Sequence, residues 1–178
     1  MYHKQRQIKK LTTYIPVAET FRALASEQDC VFLDSSLVND LGRFSIIGVC
    51  PYLKLVKDGE KFFINEKEET GIIFEDYLRN YLRDHVDQNE SELPLVSGAV
   101  GYFSYDYGRK LQGVPSGEKD LVEIPDAVLT FYDVYLIEDC HQKETYLVAN
   151  GITADASEKI REMEQKIRQR TERKEEQR

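Results

Sequence analysis

Between Leu95 and Gln112 the chain reads LVSGAVGYFSYDYGRKLQ, and no other stretch restricts its fold as tightly. From Ala99 to Tyr105 apolar side chains fall on both faces, Val100 and Tyr102 on one, Ala99, Phe103 and Tyr105 on the other. That pattern predicts a strand covered on two sides, central in a sheet rather than at its edge. Gly98 and Gly101 weaken such a strand, so they mark a place where another backbone or a ligand comes close. Asp106 ends the alternation. Its carboxylate is placed to accept from the amides of Tyr107 to Arg109 and to start a short helix that closes at Gly113.

Helical periodicity appears on either side of this stretch. Pro16 to Glu27 carries Val17, Phe21, Leu24 and Ala25 on one stripe, with Pro16 as the first helical residue. Ile73 to His85 carries Phe74, Tyr77, Leu78, Tyr81 and Leu82, with Val86 just beyond, and is expected to lie on a sheet. Strands are expected at the edge within Gln5 to Tyr14, buried from Cys30 to Leu33, and from Arg43 to Val49 and Tyr52 to Lys57. Asp58-Gly59 then turns the chain back through Glu60 to Asn65. Ala127 to Glu138 and Glu144 to Asn150 form a second hairpin through Asp139 to Lys143. Polar loops run from Asp34 to Gly42, Asp87 to Pro94 and Pro115 to Lys119. Together these elements predict an α+β fold, a largely antiparallel sheet of about seven to nine strands with two main helices packed on it. From Ser157 a helix has only Ile160, Met163 and Ile167 as a narrow stripe, and beyond Arg168 it is charged throughout. It is expected to fray, lie exposed or lead to a further domain.

The 178 residues, 41% hydrophobic and 31% charged, suit one globular unit with a sizeable core. A net charge of −8 and a pI near 5.0 argue against nucleic acid or an anionic membrane surface as the main partner. Cys30, Cys50 and Cys140 lack C-x-x-C spacing, so they signal neither a disulfide framework nor a zinc site and read as small apolar residues in a reducing cytoplasm. The start has no signal-like apolar core, and no run approaches the roughly 18 apolar residues of a membrane span. A cytoplasmic location is expected.

No residues read as catalytic or metal-binding. His3, His85 and His141 lie far apart, at a terminus, a helix end and a hairpin turn. Glu66 to Glu69 is a run of charge in a loop, which reads as a solvated face. Gly98-x-x-Gly101 lacks the further glycine and the lysine of a phosphate loop. One constellation is better. Asp34 and Ser35 leave one strand and Arg43 enters the next, so a carboxylate, a hydroxyl and a guanidinium converge where two strands meet, the complement an amino-acid ligand needs. The other reading is that Asp34 and Ser35 cap the loop while Arg43 pairs with Asp34 or Asp40. Tyr102, Tyr105, Tyr107, Tyr132 and Tyr135 are expected mostly in the core.

The run Gly98-Ala99-Val100-Gly101-Tyr102-Phe103-Ser104-Tyr105-Asp106 with Gly108-Arg109 resembles the GG-x-GY-x-x-YD-x-GR segment of component I of aminodeoxychorismate synthase and anthranilate synthase. Arg43-Phe44-Ser45-Ile46-Ile47-Gly48 with Pro51 resembles that family's R-[FY]-S-I-I-G-x-x-P stretch. Ile124-Pro125-Asp126 leading to Phe131-Tyr132-Asp133 resembles its [LI]-PD segment and the F/Y-D that follows. The resemblance runs from about Thr13 to Asn150 and is to the family's amino-terminal region. It implies that residues 1–154 form a non-catalytic amino-terminal domain, and that 155–178 lead toward a chorismate-binding catalytic domain that lies outside this sequence. The whole enzyme would aminate chorismate for 4-aminobenzoate and folate synthesis, with magnesium and a glutamine amidotransferase subunit as partner, while this chain alone carries no cofactor. Leu33-Asp34-Ser35 resembles the family's Leu-x-Ser stretch, which adds Leu33 to the candidate site. The ligand it implies is tryptophan, regulatory in anthranilate synthases and bound in some aminodeoxychorismate synthases. Phe32 to Ser36 and Tyr105 to Arg109 look more like aminodeoxychorismate synthase. Anthranilate synthase component I is the alternative, and a free-standing ligand-binding or interaction module is the alternative from another class. Gly98, Gly101 and Arg109 are candidates for contact with the catalytic domain or the glutaminase, against a surface pair of Arg109 with Asp106 or Glu118.

Overall fold

Thirteen consecutive residues from Ala127 to Asp139 form the strand that is covered on both faces, with all but two of them buried. A computed structural model of the chain describes residues 6–39, 41–114 and 124–176, with side chains as far as residue 169. In chain order the elements are β1 (Gln7–Lys10), α1 (Val17–Leu24), β2 (Val31–Leu33), β3 (Phe44–Asp58), β4 (Lys61–Ile64), β5 (Lys67–Glu69), α2 (Phe74–Asp84), β6 (Ala99–Phe103), α3 (Tyr105–Leu111), β7 (Ala127–Asp139), β8 (Glu144–Ala149) and α4 (Ala156–Glu176). Hydrogen bonding orders the strands β1-β8-β7-β3-β4-β5, with β2 on β3 and β6 on β7. The hairpins β3–β4, β4–β5 and β7–β8 and the pairs β1–β8, β2–β3 and β6–β7 are all antiparallel. The fold is therefore α+β, as the sequence predicts.

The chain divides into two compact units, Met1–Tyr52 with Asn89–Gly98 and Tyr132–Arg178, and Leu53–Gln88 with Ala99–Phe131. In the first, Val17 and Leu24 of α1, Ile47 and Val49 of β3, Val134 and Leu136 of β7, Leu147 of β8 and Ile160, Met163 and Ile167 of α4 make one core. The narrow stripe of α4 is thus core, not a free tail. Its three apolar side chains stand one turn apart, enough to close over β1, β8 and α1. In the second unit, Phe62 meets Phe74 and Tyr77 at 5.4 Å each between ring centroids, Phe74 meets Tyr107 at 6.3 Å and Tyr81 meets Phe131 at 4.9 Å. The aromatic stripe of α2 lies on strand residues as its periodicity demands.

Several expectations are corrected. Among the described strands β6 pairs only with β7, and its Tyr102 and Phe103 are exposed, so it is a margin and not a central strand. Apolar residues on two faces require cover, but they do not say that this stretch of chain supplies it. The expected close approach is present: a Cβ built on Gly101 would stand 1.8 Å from the Val128 carbonyl oxygen. Tyr105 opens α3 instead of closing β6, and Ser104 is the cap, its Oγ accepting from Tyr107 N at 3.0 Å. Asp106 sits two residues too late for that task and binds Arg109 instead. Gly113, at φ 66°, ends the turn after α3 as expected. The strands expected on either side of Pro51 are one strand, because Cys50 takes φ 56° and absorbs the kink. Cys30 to Leu33 shrinks to the half-buried β2, whose Leu33 is exposed. Asn65 and Glu66, both at positive φ, make a second tight turn into β5 where a loop was expected. Pro16 precedes α1 rather than starting it, and Glu138 Oε2 accepts from Val17 N at 2.9 Å in place of a local cap. The Pro115 to Lys119 loop lies outside the described residues.

Candidate functional site

The β2–β3 ladder pairs Leu33 with Ile46, which sets Asp34 and Ser35 beside Ser45 and Phe44. Ser45 is buried and its Oγ accepts from Ser35 N at 2.9 Å. Ser35 Oγ donates to Phe44 O at 2.6 Å, and Ser45 Oγ lies 3.4 Å from Asp34 Oδ1. Arg43 turns elsewhere. Its Nε and one terminal nitrogen donate to Asp139 Oδ2 at 3.0 and 2.5 Å, its guanidinium lies 4.6 Å from the Phe44 ring centre, and its carbonyl accepts from Cys140 N at 2.8 Å. Asp139 Oδ1 accepts in turn from His141 N and Gln142 N, both at 3.0 Å. Burial acts to raise the Asp139 carboxyl pKa, but the Arg43 fork and the two amides outweigh it and hold it below the usual carboxylate value.

The structure therefore brings Asp34 and Ser35 together and sends Arg43 to the end of β7. Arg43 pairs with Asp139 rather than with Asp34, and Asp40 lies outside the described residues. Leu33 is exposed beside them. Sequence reasoning missed Asp139 and Ser45. The first is 96 positions from Arg43 and no spacing links them, while the second lay in view as the polar member of the Arg43 to Gly48 segment.

The remaining candidates serve the backbone. Gly98 takes φ 131° and its carbonyl accepts from Tyr135 OH at 2.7 Å. Arg109 donates to Asp106 at 2.9 Å and to Val114 O at 2.8 Å, and Glu118 is outside the described residues. Gly48 leaves room for the Tyr132 ring, 2.8 Å from where a Cβ would stand, and Tyr132 OH donates to Asp29 O. Asp133, wholly buried, accepts from Ile152 N, Thr153 N and Thr153 Oγ1 at 3.0, 2.7 and 2.5 Å and so fixes the bend between β8 and α4. Asp126 receives Lys110 at 2.7 Å. Tyr107, Tyr132 and Tyr135 are core, whereas Tyr102 and Tyr105 are exposed. His85 stacks on Tyr81 at 4.1 Å, His141 is exposed, and His3 is outside the described residues. Among the described residues no group of three or more His, Cys, Asp or Glu is placed to hold a metal ion. No described helix is long and apolar enough to cross a membrane.

The sequence profile of the chorismate binding enzyme family matches residues 35–178. The chain belongs to that family. Aminodeoxychorismate synthase component 1 of Escherichia coli strain K12 is 33% identical over 109 residues, 58% of this chain and 24% of that protein. Anthranilate synthase component 1 of Lactococcus lactis is 27% identical over 161 residues, 86% of this chain and 34% of that protein. The crystal structure of anthranilate synthase component I from Streptococcus pneumoniae TIGR4 superposes with a TM-score of 0.55 at 23% identity, over 89% of this chain and 34% of that one, a likeness of fold. The chain thus spans about a quarter to a third of the length of these relatives.

Proposed function

We propose that this chain is the amino-terminal, non-catalytic domain of component I of an aminodeoxychorismate synthase, structural rather than reactive. The observation that carries this reading is the use of the motif residues: Arg43, Ser45, Asp106, Arg109, Asp126 and Asp133 each hold a backbone amide or a neighbouring side chain. The family's shared segments here encode a scaffold. In the whole protein a chorismate-binding catalytic domain with magnesium would aminate chorismate, taking ammonia from a glutamine amidotransferase subunit, in the cytoplasm, toward 4-aminobenzoate and folate. Exposed Tyr102, Phe103, Tyr105, Leu111 and Val114 give the second unit an apolar surface that such a domain would cover. Gly98 and Gly101 shape the strand that carries it. The anthranilate synthase reading is favoured by one observation, the larger share of this chain that matches the Lactococcus lactis protein.

Leu33, Asp34, Ser35 and Arg43 are proposed to clamp β2, β3 and β7 together, since the Ser35 hydroxyl and the Arg43 fork already have partners. Calorimetry with tryptophan tests this. Saturable heat that Ser35→Ala abolishes would replace the clamp with a ligand site. The decisive experiment for the function is the full-length protein supplied with chorismate and ammonia: 4-amino-4-deoxychorismate is expected, and anthranilate would select the alternative.

A further inference from the structure

We propose that the outer edge of β6 receives one further β-strand, supplied by the catalytic domain of the same polypeptide. This occupant presupposes the function proposed above. Within the second unit β6 pairs with β7 from Ala99 opposite Phe131 to Phe103 opposite Ala127. Among the described residues, none outside β7 bonds to the backbone of Ala99–Phe103. A row of amides and carbonyls therefore faces outward, beside exposed Gly101, Tyr102 and Phe103. The other strand margins are blunted. At the two ends of the strand order, β1 reads Gln-Ile-Lys-Lys and β5 reads Lys-Glu-Glu, and β2 is only three residues long. Charge and shortness are the ordinary means by which an edge is kept from pairing. β6 has neither, since no charged residue stands between Glu92 and Asp106 and no proline interrupts the strand.

An edge left so open in water recruits any extended segment, further copies of the chain included. A strand tethered in the same polypeptide acts at an effective concentration of about millimolar, which excludes free copies at micromolar levels. The surroundings also favour a strand that belongs to a domain. Tyr102 and Phe103, 40% and 53% exposed, point to opposite faces of β6 and so flank an incoming strand on both sides. Aromatic rings so placed suit β-branched or aromatic partners, and a carboxylate between them would be buried without a counter-charge. Exposed Tyr105 and Leu111 on α3 continue the apolar surface past the strand, where a lone peptide would leave them bare.

Residue-resolved hydrogen exchange on the 178-residue chain and on the full-length protein tests this. Alternate amides of Ala99–Phe103 point outward; they should exchange freely in the short chain and at least about a hundredfold more slowly in the long one. Proline is then placed at whichever of Tyr102 and Phe103 directs its amide outward, with alanine there as the control for the lost side chain. The two variants should melt alike in the 178-residue chain, whereas in the full-length protein proline should melt lower than alanine. Outward amides that exchange equally fast in both proteins, or equal melting of the two full-length variants, would overturn the proposal. Slowing in the short chain that grows with protein concentration would overturn it too, by giving the edge to a second copy. Chorismate turnover by the same full-length sample separates the two readings: product with fast outward amides sinks the strand alone, and slow amides without product sink the proposed function alone.

Discussion

At Gly101 the strand surface is exposed, yet the missing side chain matters because β7 backbone fills its place. Gly101→Ala should therefore cost about 2 kcal/mol or more, where an exposed substitution ordinarily stays within about 0.5. Gly108 in α3 meets nothing within 4 Å, and Gly108→Ala should stabilise by up to about 1 kcal/mol. Urea unfolding of the two variants reads both signs, and equal effects would sink the contact explanation. Asp139 gives the chain a pH-dependent share of stability. With its folded pKa below the unfolded value of about 3.9, its share of stability is complete above that pH and is lost as pH falls through the folded value. The gap in melting temperature between the natural chain and Asp139→Asn should accordingly be widest near neutrality and narrow in acid. A gap independent of pH would mean that the carboxylate charge does not matter. The sequence showed Asp34, Ser35 and Arg43 as neighbours, and two of them are. It could not show where Arg43 goes, because the hairpin end that supplies Asp139 reaches it through tertiary folding alone.

Among the elements, α4 departs furthest from its sequence reading. Met163 is wholly buried between strands and α1, so Met163→Ala should cost about 2–4 kcal/mol in chemical denaturation, whereas a solvent-lying tail would lose almost nothing. The stripe of Ile160, Met163 and Ile167 was visible, but its partners were not, since a narrow stripe suffices only when the facing surface is already apolar. By contrast α2 and the β3–β4 hairpin were legible because each is specified locally, by i, i+4 spacing and by Asp58-Gly59. Even there the turn sits one residue on, at Gly59 and Glu60, with Asp58 opposite Lys61. Periodicity failed at β6 for a physical reason: it reports that a face is apolar, never which part of the molecule covers it. β7, whose cover is entirely present, was placed to within a residue.

For the whole molecule, the question is whether that uncovered surface has an owner. The chain matches only a quarter to a third of its relatives' length, and its second unit leaves Tyr105 90% exposed, with Leu111 and Val114 also open. A protein with a net charge of −8 can stay dispersed with such a surface open, so solubility alone is no sign that it is idle. If a catalytic domain covers it, Tyr105→Asp and Leu111→Asp have two different consequences. In the 178-residue chain each should change stability by no more than about 0.5 kcal/mol, because water already surrounds the side chain. In the full-length protein the same changes would bury a carboxylate against an apolar partner, which is strongly unfavourable without a counter-charge. On the proposed function, melting temperature and chorismate turnover of the full-length protein should both fall. Variants that leave both quantities unchanged there would show that this surface faces solvent in the full-length protein and that its apolar character serves some other contact.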